Sequence, residues 1–182
     1  HGDEHRGAVL MRLGLGLGIS VVRGAPGGNV PAFTPATLFA NSEAGAWYDP
    51  SDTSTLAQNS DGTTSVSVGD PVGFVDDKAN DLDATQATSS KRPVLRDTPL
   101  RLELDKADDN LEVTIPTGGI VGTLLIGTTG GIVQAEVDLP AGTWTLAQGG
   151  GSHYPGVDMV GLVLIDRSLG SSEKSNAISW LQ

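Results

Sequence analysis

The stretch LRLELDKADDNLEVTIP, residues 100–116, constrains the fold more than any other part of the chain. Leu100, Leu102 and Leu104 alternate with Arg101 and Glu103, and Leu111, Val113 and Ile115 alternate with Glu112 and Thr114. A period of two places all the apolar side chains of an extended strand on one face. With the polar DKADDN between the two runs, the pattern predicts an antiparallel hairpin. Glycine-rich turns mark off further strands near 119–126, 131–138 and 143–147, and SVSVGDPVGFVDD (65–77) alternates and turns as short strands do. DMVGLVLIDR (158–167) is apolar without alternation, the pattern of a strand at a sandwich centre. In the closing SLGSSEKSNAISWLQ, Ser171 or Ser172 can cap a short helix that brings Ala177, Ile178 and Leu181 to one side. These elements predict an all-β antiparallel sandwich, of jelly-roll or concanavalin type, with one C-terminal helix.

The first 32 residues read differently. RLGLGLGISVVRGAPGGNVPA has glycine at 14, 16, 18, 24, 27 and 28, and Leu13, Leu15 and Leu17 form one greasy edge. Glycine weakens a strand standing alone but allows close approach to another backbone. Residues 1–32 are therefore expected to form an N-terminal extension and anchoring arm, with Leu13, Leu15, Leu17, Ile19, Val21 and Val22 as its anchoring residues. Residues 33–182 are expected to form the sandwich domain. Glycine at every second position makes a poor helical signal peptide, and no apolar run reaches the length of a membrane span.

Charge and cysteine content narrow the chemistry. There is no cysteine, which excludes disulfides, thiolate metal sites and cysteine nucleophiles. Residues 49–112 carry fourteen acids and six bases, and no segment offers the basic stripe that a phosphate backbone requires, so nucleic acid is not expected as a partner. No catalytic acid–base pair can be nominated, and the chain is read as non-enzymatic, without a cofactor or resident metal.

Two stretches invite a site. FANSEAGAWYDPSD (39–52) gathers Phe39, Trp47 and Tyr48 beside Asp49 and Asp52. Its expected role is structural: Trp47 in the core, Tyr48 facing a neighbour, and Asp49 ending the strand in an Asx-type turn. Its functional alternatives are an aromatic sugar platform, or a calcium site using Asp49, Asp52 and Asp61, although no EF-hand-like spacing occurs. GGGSHYPGVD (149–158) is the candidate ligand loop, with Ser152, His153, Tyr154 and Asp158 as its binding residues. A serine-hydrolase elbow is missing because Tyr154 stands where the last glycine belongs. His1 with His5 or His153 does not make a pre-oriented copper brace, and the glycines at 14, 16 and 18 lack the Lys-Ser/Thr of a phosphate loop. Asp76-Asp77 and Asp108-Asp109 are read as solvated loop charge, because strand neighbours face opposite ways.

Two motifs carry a resemblance. Residues 38–96, with GAWYDPSD, the GTTSVSVGDPVG middle and the ATQATSSKRPVLR close, resemble a segment common in tailed-phage and prophage virion structural proteins. Residues 156–182, GVDMVGLVLIDRSLGSSEKSNAISWLQ, are similar to the last strand and helix of concanavalin/laminin-G-like domains. The resemblance implies a tail fibre, spike or head-decoration protein on the virion surface. It also implies a homo-oligomer, with a trimer favoured, bound to capsid or tail proteins, and a sandwich able to take a host-surface glycan. VDDKANDLDATQAT (75–88) lacks the glycine–asparagine–histidine pattern of such relatives, so no ligand residue carries over from that loop.

Overall fold

A computed structural model describes residues 32–105, 107–146 and 158–182. The anchoring residues Leu13, Leu15, Leu17, Ile19, Val21 and Val22, and the loop residues Ser152, His153 and Tyr154, lie outside the described residues. The body, Phe33–Gln182, is built of two antiparallel sheets and one C-terminal helix.

The first sheet contains β1 (Gly45–Tyr48), β5 (Val94–Arg96), β6 (Arg101–Glu103), β8 (Ile120–Thr128), β9 (Gly131–Leu139) and β11 (Met159–Ile165). Its order is β5-β6-β11-β8-β9, and β1 joins the same side of β11 as β6. The second sheet runs β10 (Gly142–Leu146), β7 (Leu111–Ile115), β4 (Ala84–Thr85), β3 (Phe74–Val75) and β2 (Leu56–Ala57). Leu102, Leu124, Ile126, Leu162 and Leu164 from the first sheet meet Leu56, Val75, Leu111, Val113 and Ile115 from the second in the main core.

The first sheet is buried on its other face too. The helix α1 (Ser171–Trp180) and the 3-10 turn Pro35–Phe39 cover it, so that Trp47, Leu125, Val163 and Ile165 pack with Leu38, Leu169, Ala177 and Leu181. This double burial is why β11 reads as an unbroken apolar run. It also gives β1 consecutive large residues with opposite duties: Ala46 and Tyr48 face the main core, and Trp47 faces the helix, edge-on to Trp180 at 5.8 Å.

Three sequence expectations are corrected. Residues 100–116 are not a hairpin: β6 pairs with β5 and β11 in one sheet, while β7 pairs with β10 and β4 in the other. Leu102 and Val113 both point into the core, one from each side, and DKADDN is the crossover between sheets. The hairpin lies next along the chain, where β8 and β9 pair from Thr128↔Gly131 to Ile120↔Leu139 across Thr129 and Gly130. Tyr48 does not face a neighbour; it is fully buried, and its hydroxyl donates to the Leu82 carbonyl. Finally, the cap of α1 is Gly170 and not a serine: its N–H donates to Glu173 Oε2 at 2.8 Å. Arg167 Nη1 and Nη2 grip the same carboxylate at 3.0 and 2.8 Å, which locks the end of β11 to the first turn of the helix.

Candidate functional site

The aromatic stretch at 39–52 closes the fold. Trp47 is only 8% exposed, with Trp180 against it and the Lys78 ammonium 4.8 Å from its ring centroid, which leaves no open ring face for a sugar to stack on. Asp49 makes the expected turn, accepting from the Ser51 N–H at 3.1 Å. Lys78 Nζ lies 3.3 Å from Asp49 Oδ2 and 2.9 Å from Asp52 Oδ2, so an ammonium occupies the position that the calcium reading assigned to a metal. Asp61 is turned to its own loop, accepting from the Thr63 N–H and hydroxyl at 3.0 and 2.7 Å.

Neither acidic pair is uniformly solvated, which corrects the reading of both as loop charge. In each, the first residue is exposed and the second is buried. Asp77 accepts four backbone N–H groups: Trp47 at 2.7 Å and Ala79 at 2.9 Å through Oδ1, Asn80 at 2.8 Å and Leu82 at 3.1 Å through Oδ2. It ties the 77–83 loop to β1. Asp109 does related work in the crossover, where its Oδ2 accepts from the Asp105 N–H at 2.9 Å. Desolvation, with Asp105, Asp108 and Glu103 nearby, pushes the Asp109 carboxyl above the ordinary carboxylate range. Asp105 goes the other way, because the N–H groups of Ala107, Asp109 and Asp108 favour its charged form.

Beside this crossover lies a polar cleft of about 450 Å³, lined by Val94, Arg96, Glu103, Leu104, Asp105, Asp109 and Asp158. Short segments assemble it. β5 supplies Val94 and Arg96, β6 supplies Glu103, the crossover supplies Asp105 and Asp109, and Asp158 stands at the foot of β11. Arg96 pairs with Glu103 across the β5–β6 ladder, and Arg101 Nε donates to Asp158 Oδ2 at 2.8 Å. Thr129 in the β8–β9 turn approaches the same oxygen at 3.4 Å. Two guanidinium groups are thus held beside a set of carboxylates, and the described wall offers fixed donors and acceptors.

Of the loop residues expected to bind ligand, Asp158 lines this cleft and Ser152, His153 and Tyr154 fall outside the described residues. Sequence reasoning missed Arg96, Arg101, Glu103, Asp105 and Asp109 because it folded 100–116 back on itself. The signal was present in DKADDN, whose three aspartates bring carboxylate oxygens within 4.8 Å of one another. Calcium takes six to eight oxygens, and one oxygen of Asp105 already serves three backbone N–H groups, so that cluster is assigned to the turn. Comparison with protein-family models, curated proteins and solved structures finds no match, and the functional reading rests on the chain's own residues.

Proposed function

We propose that this chain is a non-enzymatic structural protein of a tailed-phage or prophage particle. Its N-terminal arm anchors it to capsid or tail protein, and its acidic sandwich is displayed on the virion surface as a fibre- or spike-type appendage. The supporting observation is the division of the chain. Residues 5–32 hold three arginines, no acid and the apolar run 13–22, whereas Phe33–Gln182 carry twenty acids against eight Lys and Arg. Burying the arm's leucines and valines against a partner, at about 25 cal/mol per Å² of apolar area, contributes several kcal/mol. A net charge of −12 on the body opposes its non-specific aggregation. The cleft at Asp158 gives the outer part a site for a hydroxyl-rich ligand such as a host-surface glycan.

Removing residues 1–31 tests the anchor. The truncated chain is expected to be absent from purified particles that contain the full chain, and incorporation at normal occupancy overturns the proposal. Capsid decoration is the alternative within the class, separated by where imaging places the chain on a particle. The Arg101–Asp158 pair in an open cleft favours a second reading from another class, a free carbohydrate-binding module. That reading requires glycan binding with Kd of about 1 mM or tighter, lost in Asp158→Ala and indifferent to the arm.

A further inference from the structure

The two sides of the sandwich are closed differently. On one side, residues 65–72 bridge the sheets. Ser65 pairs with Ala57 of β2, and Pro71 pairs with Val94 of β5. The Val72 N–H donates to the Pro93 carbonyl at 2.7 Å, the Leu95 N–H to the Asp70 carbonyl at 3.0 Å, and the Gly69 N–H to the Leu95 carbonyl at 2.8 Å. That side has no open ladder along this stretch. On the other side the chain turns from β9 to β10 through Pro140 and Ala141. Among the described residues, β9 pairs with β8 alone and β10 with β7 alone. β9 is nine residues long, and a free edge of that length offers a row of backbone donors and acceptors to another strand.

We propose that, in the protein free of any particle, the outer edge of β9 receives residues 13–22 of a second copy of this chain as an added strand. Length, sequence and charge all fit. Ten extended residues reach about 33 Å, against about 30 Å for the nine of β9. Glycine at 14, 16 and 18 lets the incoming backbone approach, while Leu13, Leu15 and Leu17 can lie on the half-buried apolar residues Val133, Ala135 and Val137. β9 carries the exposed acids Glu136 and Asp138 and no base, whereas the arm has Arg12 and Arg23 at the two ends of the run and no acid between. With the run laid antiparallel to β9 and its leucines over Val133 and Val137, Arg12 comes to the Asp138 end on the face that carries Asp138. The same acids oppose pairing of β9 with another β9. β10, the edge of the second sheet on this side, has only five residues and no charge, and lacks both features.

Hydrogen exchange on the purified full-length protein tests this, and its outcome does not depend on whether the chain belongs to a particle. Dilute and concentrated samples, about a hundredfold apart, are compared. The outward-facing amides of β9 are expected to slow by about tenfold or more in the concentrated sample alone. The slowing is expected to vanish in Arg12→Glu/Arg23→Glu and to return in part when Asp138→Lys is added to it. Asp138 is exposed, so its replacement leaves the body intact. Exchange equally fast at both concentrations overturns the proposal. Exchange equally slow at both, with the dilute sample monomeric by sedimentation, also overturns it, because the edge is then covered within one chain.

Discussion

Single carboxylates do much of the positioning in this body, and Asp77 does the most. Asp77→Ala leaves four backbone N–H groups without their acceptor, two of them beside the buried aromatics Trp47 and Tyr48. Each such loss inside a protein costs on the order of 1–3 kcal/mol before relaxation and water entry. The variant is expected to lose about 3 kcal/mol in urea unfolding, as a lower midpoint at an unchanged slope. Tyr48→Phe loses only the bond to the Leu82 carbonyl and is expected to cost about 1 kcal/mol by the same measurement. The tie from Asp77 to β1 was not legible in the residues alone. An aspartate whose partner N–H lies thirty positions away leaves no spacing signal, and Asp76 and Asp77 look alike in sequence. The Asx turn at Asp49 was legible because both of its groups lie within two residues of each other.

At the scale of elements, the helix–sheet contact depends on the absence of side chains. A Cβ on Gly127 would stand 2.5 Å from the Leu181 carbonyl oxygen, and one on Gly161 3.0 Å from Leu181 Cδ2 and 3.2 Å from the Trp180 ring. Gly127→Ala therefore has to push the end of α1 off the sheet, at a cost of about 1–3 kcal/mol. The expected signature is a change in near-ultraviolet circular dichroism, because the Trp47–Trp180 edge contact opens. Hydrogen exchange in β7 and β10, on the far sheet, is expected to stay as it was. Strand positions were largely legible: 119–126, 131–138 and 143–147 fall on β8, β9 and β10 within two residues at each end. Strand partners were not. Alternation fixes which face of a strand is apolar, and β6 and β7 show the same pattern whether they lie side by side or face each other across the core. Hairpin loops favour two to five residues, and the six of DKADDN are enough to cross the ~10 Å between packed sheets. The cleft was lost with the pairing, and only Asp158 pointed to it.

For the whole molecule, the acids set how stability follows pH. Glu173 is held below the ordinary carboxylate range by Arg167, Glu136 by Lys174, and Asp105 by backbone N–H groups. Such groups stabilise above their unfolded pKa, and that contribution is lost as pH falls through their lowered folded values. Asp76 and Asp109 are raised by desolvation and neighbouring carboxylates, and their contribution is present below the unfolded pKa and lost as pH rises through the raised values. Stability is thus expected to peak in mild acid near about pH 5, to decline gently toward neutrality and to fall steeply below about pH 4. Calorimetric melting across this range checks it. Asp109→Asn keeps an oxygen for the Asp105 N–H without the charge, and is expected to flatten the neutral side of the curve. One last consequence follows from the place of β11. It pairs with β1, β6 and β8, yet it is the last strand in the chain, so β1 at Gly45–Tyr48 waits for a partner more than a hundred residues later. A ribosome must deliver β11 before the central sheet can form, and until then β1, β6 and β8 expose edges with nothing to join. Folding of this body therefore waits for β11, and a polypeptide released before Met159 is a substrate for chaperones and proteases and cannot form a smaller version of the same body.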